Sequence, residues 1–296
     1  MKSATAQDKI VQLIFYIITG IFGIFCFIPL WLIIMASFTN ETSLVRDGYK
    51  LFTDKLDITA YKMVFASGNI LDAYGITIIT TAAGVLLTLV LTSALSYPLT
   101  VRTVKYRNRI SLFAYATLLF NGGLVPTYIL FVRYLGLHNN LWVLIIPGAL
   151  NAYNMFIMVN YFKTIPDSLA ESAKIDGAND VYIFVRIILP LSKPILATIG
   201  LFAAMGYWNE WFRVLMYIDN PKLYTLQYLL LILQRQVDFL NSELGAKAVS
   251  GGARISVPAY TIRMATAVLS VGPIIFLYPL LQRYFLKGIM IGAVKG

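Results

Sequence analysis

Residues 171–194 read ESAKIDGANDVYIFVRIILPLSKP, a long polar segment set between two apolar runs. The residue order spells a helix, a tight turn and a second helix. Ser168 and Glu171 have capping-box spacing, which lets each side chain satisfy backbone donors exposed at a helix start. Residues 169–176 then predict about two helical turns. Gly177 stands where a helix C-terminus needs a left-handed residue, a conformation glycine adopts without a Cβ clash. Asn179 or Asp180 caps the second helix, with Val181, Phe184, Val185 and Ile188 on its apolar face. Pro190 ends that helix, and Pro194, two residues after Ser192, opens the next one. The product is a helix–turn–helix elbow.

What flanks the elbow decides where it lies. The chain has 296 residues, of which 58% are hydrophobic and only 13% charged. A soluble protein carries about 25% charged residues. Apolar runs long enough to cross a bilayer recur along the chain, so the reading is an all-α polytopic membrane protein. The net charge of +10 raises nucleic acid or anionic lipid as partners, and equally fits the excess of Lys and Arg on cytoplasmic loops. One cysteine, Cys26, and one histidine, His138, exclude an intrachain disulfide and a His/Cys metal cluster.

Residues 1–9 form a short tail, and residues 10–40 carry no charge, too long a run for a cleaved leader. They read as a first span. Residues 41–69 are a mixed-charge loop with Tyr49, Phe52, Tyr61 and Phe65, expected to fold. A second span within 73–101 runs into the wholly basic RTVKYRNR. The third, 110–132, contains Asn121, Gly122, Gly123 and Pro126, which predict a kink or break. A fourth covers 141–162, the elbow follows over 163–193, and a fifth runs from Pro194 through GYWNEWF to about residue 217. The longest loop, 219–264, precedes a sixth span within 265–286 and a tail over 287–296.

Six spans put both termini on one side. The tails, the basic loop and the elbow hold 13 of the 24 basic residues and five of the 14 acidic ones. That side carries net +8 against +2 elsewhere, which makes it cytoplasmic.

Within the elbow, Glu171, Ala173, Asp176-Gly177-Ala178, Phe184, Ile187 and Leu189-Pro190-Leu191 resemble the signature loop of binding-protein-dependent ABC importer permeases. Ser172 stands where that pattern usually has alanine. The terminal GIMIGAVKG is similar to the tail of the MalG-like carbohydrate permeases. WNEWF with TLQ at 225–227 resembles the subgroup of LplC-like and alginate-oligosaccharide permeases. The resemblance runs from about residue 70 to the end of the chain.

It implies the type I importer permease fold, with a permease core over 70–286 and the elbow as a cytoplasmic coupling helix. It further implies a bacterial inner-membrane complex with a second permease subunit, two cytosolic ATPases and an extracytoplasmic solute-binding protein that delivers an oligosaccharide. ATP and Mg belong to the partner ATPase, because the chain contains no G-x-x-x-x-G-K phosphate loop. Glu171, Ser172, Ala173, Asp176, Gly177, Ala178 and Phe184 are the expected coupling residues. On this reading small residues at 172 and 173 allow close approach, while Glu171 meets a basic ATPase residue or caps its own helix. Each elbow helix is too short to be stable alone, so packing by Phe184 and the partner must hold it.

Polar groups within spans are costly and default to function. Asn121, Asn151, Tyr153, Asn154, Trp208, Asn209 and Trp211 are candidates for a sugar path, since amides bond hydroxyls and aromatic faces stack on sugar C–H faces. Interhelical hydrogen bonds and an interfacial aromatic belt explain the same residues without substrate. Glu210 and Arg213, at i,i+3 spacing, read as a structural ion pair. By resemblance, the loop tip around Gly245, Gly251 and Gly252 contacts the binding protein. An enzyme reading lacks clustered His or Cys and paired intramembrane carboxylates. An ion-coupled transporter reading lacks a carboxylate at mid-depth.

Overall fold

The computed structural model describes residues 6–66, 69–242 and 258–292. Among them the secondary structure is helical, apart from one isolated β-bridge between Thr39 and Leu56. The chain divides into two compact units, residues 1–68 with 232–272, and residues 69–231 with 273–296.

The first unit begins with α1 (Ala6–Ser37). Its residues are exposed on every face over most of its length, with Ile10, Phe15 and Phe25 all more than half exposed. A helix that is apolar all round belongs in lipid. The loop that follows is folded, as its aromatics predict. Asn40 caps α2 (Glu41–Asp47) by accepting from the Thr42 N–H, and Gly48 ends it at φ 77°. Asp57 accepts from the Thr59 N–H at 2.8 Å to start α3 (Thr59–Ala66), and also from Asn40 Nδ2 at 2.8 Å. Tyr61 closes the group on Ser37 Oγ at 2.8 Å.

The second unit is built on α4 (Ile70–Thr100). Its buried stripe is made of small residues, with Ala73, Thr77, Thr80, Gly84, Thr88 and Ser96 at intervals of three, four or eight. Small side chains let neighbouring helices approach closely where lipid supplies no hydrophobic drive. Thr77 and Thr80 return their hydroxyls to carbonyls of their own helix, and Ser96 Oγ donates across to Met155 O at 3.1 Å.

The third expected span is not a kinked helix. α5 (Arg107–Leu119) and α6 (Leu124–Ile129), continued by a π turn over Leu130–Tyr134, meet at 116°. Asn121 accepts from the Gly123 N–H at 2.8 Å and Gly123 sits at φ 86°, so the break is a capped turn. α7 (Trp142–Ile145) passes through a 3₁₀ turn at Ile146–Gly148 and bends 48° into α8 (Ala152–Phe162). Asn151 caps α8 by accepting from the Tyr153 N–H.

Beyond α8 lie α9 (Asp167–Ile175), α10 (Asp180–Ile183), a π turn at Phe184–Ile188, α11 (Leu189–Leu191) and α12 (Lys193–Trp208). The fifth span breaks at Asn209–Trp211, where α13 (Phe212–Tyr217) begins. The expected long loop contains a helix of its own, α14 (Leu226–Leu240), and α15 (Ala259–Gly292) starts several residues ahead of the expected span. By length and composition, Lys9–Ser37 and Ile70–Thr100 are long and apolar enough to cross a membrane, and three bent pairs qualify if each is one span.

Candidate functional site

The elbow folds as two helices joined at Gly177, with local chemistry that differs from expectation at three points. First, α9 begins at Asp167 after Pro166, which offers no side-chain cap. Ser168 therefore lies inside the first turn and the capping box with Glu171 does not form. Proline at the boundary accompanies a helix start two residues early, at Asp167 in place of Leu169. Glu171 is exposed, and no ion-pair partner is present among the described residues.

Second, the buried face of the second helix is Ile183 and Ile188, flanked by Phe184 and Ile187, whereas Val181 is 71% exposed and Val185 48%. Third, Pro190 does not end the helix. The π turn widens the backbone just before it, with Leu189 N–H donating to Phe184 O, and the run reaches Leu191. A residue without an N–H is accommodated where the i→i+4 ladder has already been interrupted.

The turn itself is as expected. Gly177 has φ 84°; its N–H donates to Lys174 O at 3.0 Å and the Ala178 N–H to Ala173 O at 2.9 Å. These two bonds are the Schellman pattern. Asn179 caps α10 by accepting from the Tyr182 N–H at 2.8 Å. Across the turn, Lys174 Nζ meets Asp180 Oδ1 at 2.9 Å, and that carboxylate raises the lysine's pKa.

Packing then orients the elbow. Ile183, Ile188, Ile195, Ile199, Met158 and Phe162 form one buried cluster, with Ala170, Ala173 and Ala178 against it. Phe184 stacks on Tyr97 of α4 at 5.1 Å. Ala173 and Ala178 thus face the protein's own core, and the opposite face of α9 shows Ser168, Glu171, Ser172 and Ile175. Those four share i, i+3, i+4, i+7 spacing, which places them on one stripe. Ile175 is 86% exposed and was not among the residues singled out from sequence. Its spacing from Glu171 and Ser172 is the signal that finds it.

Of the sugar-path candidates, Asn151 and Asn154 line one cavity of about 250 Å³, together with Gly148, Gly206, Tyr207 and Arg213. Arg213 Nη1 bonds Glu210 Oε2 at 3.0 Å and Leu144 O at 3.1 Å, while Glu210 Oε1 accepts from the Arg213 N–H at 2.8 Å. The pair is therefore also a helix cap for α13. The other candidates lie elsewhere. Asn121 holds its own turn, Tyr153 is 60% exposed, and Trp208 is buried beside Tyr74. Asn209 accepts from Gln227 Nε2 at 3.3 Å, and Trp211 packs edge-on to Phe212. Gly245, Gly251 and Gly252 lie outside the described residues.

The sequence model of the binding-protein-dependent transport system inner membrane component matches residues 3–291. The chain belongs to that family. It is an ABC transporter permease, a multi-pass protein of the inner membrane. This permease is 39% identical to Protein LplC of Bacillus subtilis over 93% of its length and 91% of the relative's. It is 34% identical to the polygalacturonan/rhamnogalacturonan transport system permease protein YtcP of the same organism, over 98% of its length and all of the relative's. The crystal structure of a bacterial ABC transporter involved in the import of the acidic polysaccharide alginate contains a chain that superposes with a TM-score of 0.76. That match has 30% identity and covers 96% of this permease and 100% of the solved chain.

Proposed function

We infer that the chain is the permease subunit of an ATP-driven importer. It moves an oligosaccharide derived from plant or algal polysaccharide, uronate-containing, from an extracytoplasmic solute-binding protein into the cytoplasm. The match of nearly the whole chain to permeases of polygalacturonan/rhamnogalacturonan and alginate transport carries this reading. Six crossings are proposed: α1, α4, α5 with α6, α7 with α8, α12 with α13, and α15. Both termini and the elbow face the cytoplasm, and the loops at 41–69 and 219–264 face outward.

The elbow is the coupling helix. Its exposed stripe, with Glu171, Ser172 and Ile175, enters a groove on one of two ATPase subunits, which hold the ATP and Mg. Asp176, Gly177, Ala178 and Phe184 keep the lever rigid, and Ala173 locks it to the core. A second permease subunit completes the translocation path. Closure of the ATPases draws the elbows together, and the packed cluster at Ile183 and Ile188 passes the displacement to α8 and α12. The loop around Gly245, Gly251 and Gly252 meets the binding protein, and the cavity at Asn151 and Asn154 lies on the sugar path. Asn121, Tyr153, Trp208, Asn209 and Trp211 support that path.

Uptake of a radiolabelled oligogalacturonate or oligoalginate by the complete reconstituted complex tests the reading. Vanadate is expected to abolish uptake and a protonophore to leave it unchanged. Uptake that resists vanadate and collapses with the protonophore would identify an ion-coupled carrier instead.

A further inference from the structure

A second site lies beside the elbow. A cleft of about 460 Å³ is bounded by the end of α4, the basic loop after it, and the start of α9. Four cations line it, Arg102, Arg107, Lys163 and Lys174, against two carboxylates, Asp167 and Glu171. These cations are unequally engaged. Lys174 is held by Asp180 across the Gly177 turn. Arg102 reaches Asp167 only at 3.4 Å, with side chains 85% and 74% exposed, and a pair so open to water binds weakly. Arg107 and Lys163 have no ion-pair partner among the described residues. Lys105 of the loop and Arg109 of α5 each lie 5.6 Å from the Tyr106 ring and are not part of the lining.

Arg107 is also the first residue of α5, a helix with no buried residue. On the side of α5 that carries Arg107, Ile110 and Leu118, at i+3 and i+11, are each 45% exposed. The cationic cleft thus shares Arg107 with a helix side on which apolar residues stand exposed among the described residues. These are the two halves that a phospholipid with an anionic headgroup occupies, phosphate in the cleft and acyl chains along the helix. Tyr97, Val101 and Ile165 give the cleft an apolar wall for the glycerol region. The carboxylate of Glu171 at the same cleft favours a headgroup with a single phosphodiester charge over a multiply charged one.

The geometry points to a phosphate-binding site for an anionic phospholipid between Arg102, Arg107 and Lys163, seated against the first helix of the elbow. Its leaflet, the cytoplasmic one, follows from the proposed orientation; the binding itself does not depend on transport. Bound there, the lipid bridges the basic loop to α9 and braces the element that the ATPase moves.

The experiment is native mass spectrometry of the full chain in zwitterionic detergent, titrated with phosphatidylglycerol or phosphatidylcholine. Wild-type chain is expected to retain phosphatidylglycerol selectively. At about fivefold per cation, Arg107→Gln with Lys163→Gln should weaken retention about thirtyfold. Lys105→Gln with Arg109→Gln removes the same charge outside the cleft and should leave retention unchanged, while Arg107→Lys with Lys163→Arg should preserve it. Equal loss in both glutamine double variants would reduce the site to a diffuse basic belt and overturn it. Displacement of phosphatidylglycerol by millimolar inorganic phosphate would overturn the lipid source and leave a soluble-anion site. Loss of ATPase co-purification in the Arg107/Lys163 variant, with lipid retention intact, would assign these cations to the partner and overturn the proposal.

Discussion

The Tyr207 ring of α12 lies directly over the backbone of Gly84 in α4. A Cβ at residue 84 would approach the ring at under 3.0 Å, closer than real side chains pack. The same tyrosine donates its hydroxyl to Ile145 O at 2.7 Å, so one ring joins α4 and α12 to the break between α7 and α8. The absence of a side chain at residue 84 sets how closely the two long helices approach.

Gly84→Ala is therefore expected to destabilise the permease by about 1–3 kcal/mol, the usual cost of overpacking. Thermal unfolding in detergent measures it. Tyr207→Leu should relieve part of that penalty in the double variant, whereas Tyr207→Phe, which keeps the ring, should not.

Gly177→Ala forces a Cβ into left-handed backbone at φ 84°, at a cost of about 1–2 kcal/mol. Gly177→Pro goes further, because proline cannot reach that φ and removes the N–H that donates to Lys174 O. The proline variant should insert normally and hydrolyse ATP in the assembled complex while transport falls. Paired ATPase and uptake rates measure this, and transport at the wild-type rate would end the lever account.

Ile175→Asp places a charge at the most exposed apolar position of α9 without touching the buried cluster. Recovery of the ATPase on an affinity-tagged permease should fall about thirtyfold or more, as for loss of a contact worth about 2 kcal/mol or greater. Val181→Asp, also exposed and on the other helix, is the comparison.

Glu210 and Arg213 are 12% and 25% exposed, so removing one partner leaves the other charge poorly solvated. Arg213→Met is expected to cost about 3–5 kcal/mol, and the double variant with Glu210→Gln less than the sum of the single changes. A double-mutant cycle on unfolding midpoints gives the coupling.

The folded loop between α1 and α4 should be acid-sensitive. Hydrogen bonds from Thr59 and Asn40 hold the Asp57 carboxyl below its usual 3.8. A depressed carboxylate contributes stability in full above its unfolded pKa, and loses it as pH falls through the folded one. Hydrogen exchange over residues 57–66, corrected for intrinsic rates, should therefore lose protection only below about pH 4. Asp57→Asn should flatten that dependence.

Much of this permease is legible along the chain because the governing interactions are local. Apolar run length marks α1 and α4, and the pairing of glycine with a following asparagine marks the Gly177 turn and the Asn179 cap. Gly123 and Asn121 likewise announce a break, and i,i+3 spacing announces the pair at Glu210 and Arg213. Each depends on residues within one turn of each other, so the sequence carries the whole cause.

What the tertiary structure decided are matters of facing and extent. Neither the 116° angle between α5 and α6 nor the break at Asn209 is written in composition. Pro166 set the start of α9 two residues early and left the capping box unformed, and a π turn carried the helix past Pro190 onto a different buried face. Ala173 turned inward and Ile175 outward because Ile183, Ile188 and Phe162 claimed one side of the elbow. Asn151 and Asn154 share a cavity, while Trp208 is packed beside Tyr74. The chain by itself determines where helices begin, turn and stop. Which side of each helix is free for a partner depends on close packing between segments tens of residues apart, as Tyr207 on Gly84 illustrates, and that is settled only in three dimensions.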